Sequence, residues 1–421
     1  MIEPDTNQVL QWQTAMHDPF REELLAVKND FPRRVQQCAE PVRDEPAFDP
    51  CLIAEKAKQI PLPSNLVFQQ PMLERVVRIG LAHIDATFEG NHPKYGKGIY
   101  SHSCHDSFPP VIISVVDALT LWGMTARAEE LFEYWLNTFV CRDGTVNYRG
   151  TSLSELGMLL TSALRLMTRG ASIDWLKNNL SKLNLLAGYL LEINCTTGQD
   201  RLLFGVPEDD EKQSPASYFH NNAWVIRGFK DWSLILDLHL DRKKEAEQFR
   251  QNADHLQALL VQVIKGTWPN DPSDWWLRPM IEKVAHEPDG QPERITATRL
   301  GSYTNYRYWP ELMSSNVLPK KLMKRVVEAR LVSGGQFCGT TRFEDHLDDW
   351  PLAEWLEGLW NLGLYDDFLL CMWGHIYYHQ AQDHLTAYEQ VTFPPGRQYK
   401  DAAYCLPCQL VAVRAAQHLV R

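Results

Sequence analysis

The sequence has no run of about 18 apolar residues, so no membrane-spanning helix is expected. It has no glycine-rich phosphate loop and no dinucleotide fingerprint, which removes the commonest nucleotide-binding modes. Alternating Val, Ile and Thr runs long enough to compete with helices are missing too, leaving room only for short hairpins within loops. Nor is there a basic excess: 42 Lys and Arg face 53 Asp and Glu, a net charge of -11, and the cations are dispersed. That balance argues against a nucleic acid or an anionic membrane as partner and suits a small or neutral ligand. Nine cysteines form no regular framework, and the first residues, Met1 to Gln8, are acidic without an apolar core. A reduced, cytoplasmic setting is therefore expected, with a processed secreted form left open. Only one Cys-x-x-Cys occurs, Cys405 to Cys408, and His102 and His105 do not complete a four-ligand set, so neither a metal nor another cofactor is expected.

What the chain does have is helical periodicity. Residues 1–69 read as an N-terminal arm or cap, polar and proline-containing, with amphipathic stretches at Pro19 to Val27 and Cys51 to Ala57. From residue 70 to 421 the apolar positions recur at helical spacing in twelve segments, beginning with Leu73 to Phe88 and ending with Ala402 to Leu419. Short turns alternate with long loops at 89–107, 141–151, 194–217, 266–302, 333–349 and 380–400. Antiparallel neighbours then put all short turns at one end and all long loops at the other. The helices entered from the long loops are the more apolar and suit an inner ring. The pattern predicts an all-α (α/α)6 toroid, six helical hairpins around a central pocket, with an N-terminal extension.

One stretch concentrates chemistry. Between Phe204 and Phe229 a loop with Glu208, Asp209, Asp210 and Glu211 runs through Pro215 into a helix whose first turn carries Tyr218, His220, Asn221 and Asn222. Tyr218 and Asn222 lie four apart and can share a pocket-facing side, whereas Trp224 belongs to the core. Trp275 and Trp276 lie in the longest loop, and with Tyr306 and Trp350 they are candidate stacking platforms for a sugar ring.

Several short motifs resemble the six-hairpin glycosidases. Glu155 opens an inner helix ahead of a turn through Gly170 to Asp174-Trp175-Leu176; His105-Asp106 stands where that superfamily grips its sugar with Arg-Asp, here with His in place of Arg. Tyr388-Glu389-Gln390 resembles the motif around the general base of glucoamylase-like enzymes, and the Pro207 to Asp210 loop falls where they carry the general acid. The resemblance implies glycoside hydrolysis of an oligosaccharide or small glycoside by two carboxylates, inverting, with Glu208 or Asp210 as acid and Glu389 as base. Glu282 and Glu287 are weaker rivals for the acid. Asp106, His105, Glu155, Tyr218, His220 and Asn222 are then candidate substrate contacts, although Asp106 and Glu155 could equally be acids stabilising helix N-termini. The alternative is a sugar epimerase of the acylglucosamine 2-epimerase type, moving protons with His105, His220, His375, His379 or His384.

Overall fold

The computed structural model describes residues 49–68, 70–94, 105–148, 150, 152–198, 200–208, 215–271, 276–283, 303–333, 335–337, 339–343, 346–380, 384–392 and 405–420. Residues 1–48, including the Pro19 to Val27 stretch, lie outside them. The helix Pro50–Lys58, capped by the Asp49 carboxylate on the amides of Cys51 and Leu52, packs on Pro71–Thr87. No helix among the described residues is long and apolar enough to cross a membrane.

Six inner helical segments form a closed ring. Pro109–Leu121 packs on Leu153–Thr168, that on Phe219–Leu238, that on Trp309–Ser314, that on Leu352–Leu362, and that on Val411–Ala416, which with Leu406–Gln409 returns to Pro109–Leu121. The outer helices Pro71–Thr87, Thr125–Phe139, Ile173–Thr197, Lys320–Ser333 and Tyr365–Gly374 each pack between two inner neighbours, and Lys243–Thr267 packs on Phe219–Leu238. This is the (α/α)6 toroid, and the residue pattern explains which helix goes where. Pro109–Leu121 is apolar on nearly every side, with Ser114, Asp117 and Thr120 its polar members, and is buried from Pro109 to Thr120. Thr125–Phe139 instead buries Ala128, Leu131, Phe132, Trp135, Leu136 and Phe139, a three-to-four spacing that leaves its charged side to water.

The five described short turns share one device. Each contains a left-handed residue, Gly123, Gly170, Asp241, Asn316 or Gly363, with φ between 53° and 95°. Glycine, aspartate and asparagine tolerate that conformation, which lets a helix end and reverse within a few residues. Inside the ring, Gly157 and Gly228 let two inner helices touch: a Cβ on Gly157 would lie 2.1 Å from the Trp224 carbonyl oxygen.

The long loops interlock on the opposite face. Ala216–Tyr218 pairs with Met280–Lys283, and a four-stranded sheet joins Gln336–Phe337, Thr340–Phe343, His346–Leu347 and Val391–Thr392 in that order. The sequence reading needs three adjustments here. Tyr218 ends a strand and its helix begins at Phe219. Tyr303 to Ser314 opens as a wide π turn, Thr304–Tyr308, and Tyr365 to Tyr378 closes as another, His375–His379. The last helix breaks at Leu410 into Leu406–Gln409 and Val411–Ala416, followed by a 3-10 turn, Gln417–Leu419.

Candidate active site

Arg307 is the hub of the loop face. It is fully buried on the π turn that opens the fourth inner helix, and it bonds three carboxylates from three parts of the chain. Its Nη2 donates to Glu155 Oε1 at 2.5 Å, its Nε to Glu311 Oε1 at 2.5 Å, and its Nη1 to Glu208. Glu155 stands in the first turn of its helix, Glu311 lies four residues beyond Arg307, and Glu208 comes from the loop ahead of the third inner helix. The guanidinium also lies over the Trp350 ring, 4.8 Å from its centroid. Tyr303 donates its hydroxyl to Glu208; burial and the Glu208 charge push that phenol well above its ordinary range.

One guanidinium cannot neutralise three buried carboxylates. The Glu311 carboxyl is pushed up by burial, against the opposing pull of Arg307. Neither Arg307 nor Glu311 was singled out in the sequence. The available signal was an Arg and a Glu four apart in the otherwise aromatic and apolar run Tyr306 to Leu312.

His220 supports Glu208 from behind. Its Nε2 donates to the Pro207 carbonyl at 2.9 Å, and its ring stacks on Tyr308 with centroids 4.6 Å apart and planes 4° from parallel. Burial lowers its pKa to about 3; the nearby Arg307 charge acts in the same direction, and the Pro207 carbonyl opposes it. His220 is therefore neutral and holds the Pro207-Glu208 backbone. Tyr218 packs against Tyr308 and His220 at 5.1 and 5.5 Å. Asn222 uses its amide on backbone: Oδ1 accepts from Leu203 N at 2.8 Å, while Nδ2 donates to Leu203 O and Tyr218 O. It clamps the loop to the helix rather than facing a ligand.

A second carboxylate pair lies beyond the aromatic residues. The pairing of Leu347 with Val391 continues toward Asp348 and Gln390, and Gln390 Nε2 donates to Asp348 Oδ2 at 3.3 Å. Burial and then the neighbouring Glu389 charge push the Asp348 carboxyl well above the usual range. Tyr306 is raised by burial, Asp348 and Glu389 in turn. It bridges the two clusters, with ring centroids 5.6 Å from Tyr303 and 6.4 Å from Trp350.

The remaining expected residues have fixed surroundings. His105 Nδ1 meets the Tyr148 hydroxyl at 2.5 Å, and Asp106 Oδ2 meets His92 Nε2 at 3.1 Å. Phe108 connects Tyr148 to Trp350, at centroid distances of 5.4 and 5.7 Å. Trp276 is half-buried against the core, and Trp224 is buried with Nε1 on the Glu311 carbonyl at 2.8 Å. His384 Nδ1 meets the Thr386 hydroxyl at 2.9 Å, and His375 and His379 gather at Asp349. Asp209, Asp210, Glu211, Trp275 and Glu287 lie outside the described residues, as does the side chain of Glu282.

No protein family's sequence model matches the chain, and no curated protein is similar to it in sequence. Solved structures are similar in fold. A wild-type glycosidase superposes with a TM-score of 0.57 at 10% identity over 82% of this chain and 96% of its own. A glycosidase variant in complex with glucose gives 0.55 at 10% identity, covering 82% and 97%. The GH76 alpha-mannanase of Bacteroides thetaiotaomicron gives 0.50 at 13% identity, covering 82% and 96%. At these identities the likeness is one of fold: the chain has the six-hairpin toroid that these glycosidases share.

Proposed function

We propose that the chain is a glycoside hydrolase that cleaves its substrate between two carboxyl groups, Glu208 on the acid side and Glu389 on the base side. The observation that carries this reading is the excess, among the described residues, of buried carboxyls over cations on the loop face, divided into two groups with aromatic rings between them. Glycoside cleavage needs one carboxyl that delivers a proton to the leaving oxygen and one carboxylate that activates water on the other side of the bond. Glu155, Glu208 and Glu311 share a single guanidinium, so the trio can hold a proton that a fully paired carboxylate would lack. Within the second group burial and the Glu389 charge raise the Asp348 carboxyl, which favours Glu389 as the base.

Tyr306 and Trp350 supply apolar faces between the groups, suited to the faces of a sugar ring. Substrate entry would displace Glu208 from Arg307 toward the glycosidic oxygen with the trio's proton on it, while Arg307 keeps Glu155 and Glu311 as carboxylates. Inversion follows if the two carboxyls stand about 6.5–9.5 Å apart around the bond. The epimerase alternative finds no support in the site: His220 is a neutral backbone anchor, and His105 and His384 are hydrogen-bonded to hydroxyls.

The test is a panel of aryl glycosides and oligosaccharides, assayed for new reducing ends in H₂¹⁸O with early sampling. Label at the anomeric carbon of a released sugar is the expected result, and proton NMR of the first product gives the anomer. Solvent deuterium on carbon with no new reducing end would replace hydrolysis by epimerisation.

A further inference from the structure

A separate cluster lies where the outer helix Tyr365–Gly374 runs into the wide turn His375–His379. Asp349, His375 and His379 are fully buried, and one ligand-type atom of each lies within 4.8 Å of the others. The two imidazoles stack with centroids 5.2 Å apart and planes 18° from parallel, both presented to Asp349. The carboxylate is already oriented: Oδ1 accepts from the Thr341 amide at 2.6 Å, leaving Oδ2 for His375 Nδ1 at 2.7 Å. His379 Nε2 meets the Asp349 amide at a long 3.4 Å. His375 Nε2, with no exposure to water, has no hydrogen-bond partner.

We propose that Asp349, His375 and His379 bind a first-row divalent metal ion, with zinc the best fit. Two imidazoles and one monodentate carboxylate suit zinc, iron(II) or cobalt(II), whereas calcium and magnesium need more oxygen donors. The Thr341 amide on the second carboxylate oxygen is the kind of outer contact that fixes a ligand's direction. Arg330, over the Trp355 ring at 4.4 Å and bonded to Thr341 Oγ1 at 2.9 Å, brings positive charge to the Oδ1 side. The ion would fasten the segment carrying Asp348 and Trp350 to the end of an outer helix. His375 and His379 lie four apart, a spacing that can put two imidazoles on one side of a helical turn, but Asp349 is 26 residues away from His375 and completes the set only through the fold.

The experiment uses tag-free full-length protein produced with added zinc, analysed by elemental mass spectrometry. Close to one zinc per chain is expected, with most of it lost in Asp349→Asn and His379→Gln. Chelated wild type is then titrated with Co²⁺. A saturable visible absorption band, accompanied by a rise in unfolding temperature and abolished in both variants, supports the site. Wild type without bound metal and without a saturable cobalt band overturns it, as does equal binding by folded variants. If the variants do not fold, the wild-type cobalt titration decides. None of these readouts depends on glycoside cleavage, so the site stands or falls apart from the proposed activity.

Discussion

The two ends of the toroid axis both carry buried charge, and they solve it differently. At the turn end Arg165 pairs with Asp117 and, at 2.9 Å, with Glu357, while Arg414 pairs with Glu354 at 2.8 Å and Asp117 at 3.2 Å. Arg169 lines the same cavity, so three arginines meet Asp117, Glu354 and Glu357. Burial pushes the Arg165 guanidinium down, but Asp117 and Glu357 more than offset it and hold the charge firmly in place. At the loop end one guanidinium among the described residues, Arg307, serves Glu155, Glu208 and Glu311, and Asp348 lies beside Glu389. A balanced network has no proton to give and ties helices together. An unbalanced one retains protons and suits acid-base chemistry.

The sharpest way to break this contrast is to neutralise one carboxylate at the unbalanced end. Glu389→Gln should lower turnover by roughly 10² to 10⁴ while substrate still binds, because the amide keeps shape but cannot activate water. The thermal unfolding midpoint should hold or rise, since a charge facing Asp348 disappears. Comparable turnover in the variant and the wild type would remove Glu389 from the chemistry. Replacing the hub has a different signature. Arg307→Met leaves three buried carboxylates without their cation and should cost about 3–5 kcal/mol in urea unfolding. In that variant the folded-state carboxyl pKa values lie above their unfolded values. Stability is therefore fully present at low pH and lost as pH rises, and the deficit against wild type should shrink on acidification.

At the balanced end the expected effect is smaller and confined to stability. Arg165→Met removes one cation from a network in which Arg414 still holds Asp117 and Glu354, and Arg165 itself keeps 24% exposure. A loss of about 1–3 kcal/mol is expected, with turnover per folded molecule unchanged. A tenfold fall in turnover at preserved stability would mean that the two ends are coupled, and the division between structure and chemistry would fail.

Much of the fold was legible because burial imposes period. The twelve segments, the alternation of short and long connections and the inner-outer order follow from which residues must avoid water. The π turns at Thr304–Tyr308 and His375–His379 were not legible, because an extra residue per turn leaves no compositional mark. The site was legible in part. Glu155 and Glu208 converge on Arg307, but a guanidinium inside an apolar helix reads as noise until its distant partners are known. Asn222 had the right helical spacing from Tyr218 and the wrong task, since spacing does not reveal that a preceding loop lies within reach of its amide. Asp349 and His375, 26 residues apart, meet only through the fold.

His220 gives the mildest test, and it separates the two chemistries. Its Nε2–H holds the Pro207 carbonyl, so His220→Gln can keep that donor while losing the stack on Tyr308. As a positioning residue for Glu208, His220 should cost less than about tenfold in turnover on this change, whereas loss of a proton-transferring histidine costs about 10² to 10⁴. The acid limb of the pH profile should keep its position, because a histidine held neutral down to about 3 does not titrate in the working range. Stability should report the change instead. Wild-type His220 has a folded pKa of about 3 against an ordinary value of 6.5, so the unfolded chain binds the extra proton. Its contribution is present above 6.5 and is lost as pH falls toward about 3. His220→Gln should flatten that slope by about one proton in urea melts taken across this range, leaving the similar slope from His83, likewise lowered to about 3 by burial and by His384. An unchanged slope would place the His220 proton elsewhere, and the backbone anchor behind Glu208 would have to be sought in the Asn221 bond to Val206 O at 2.8 Å.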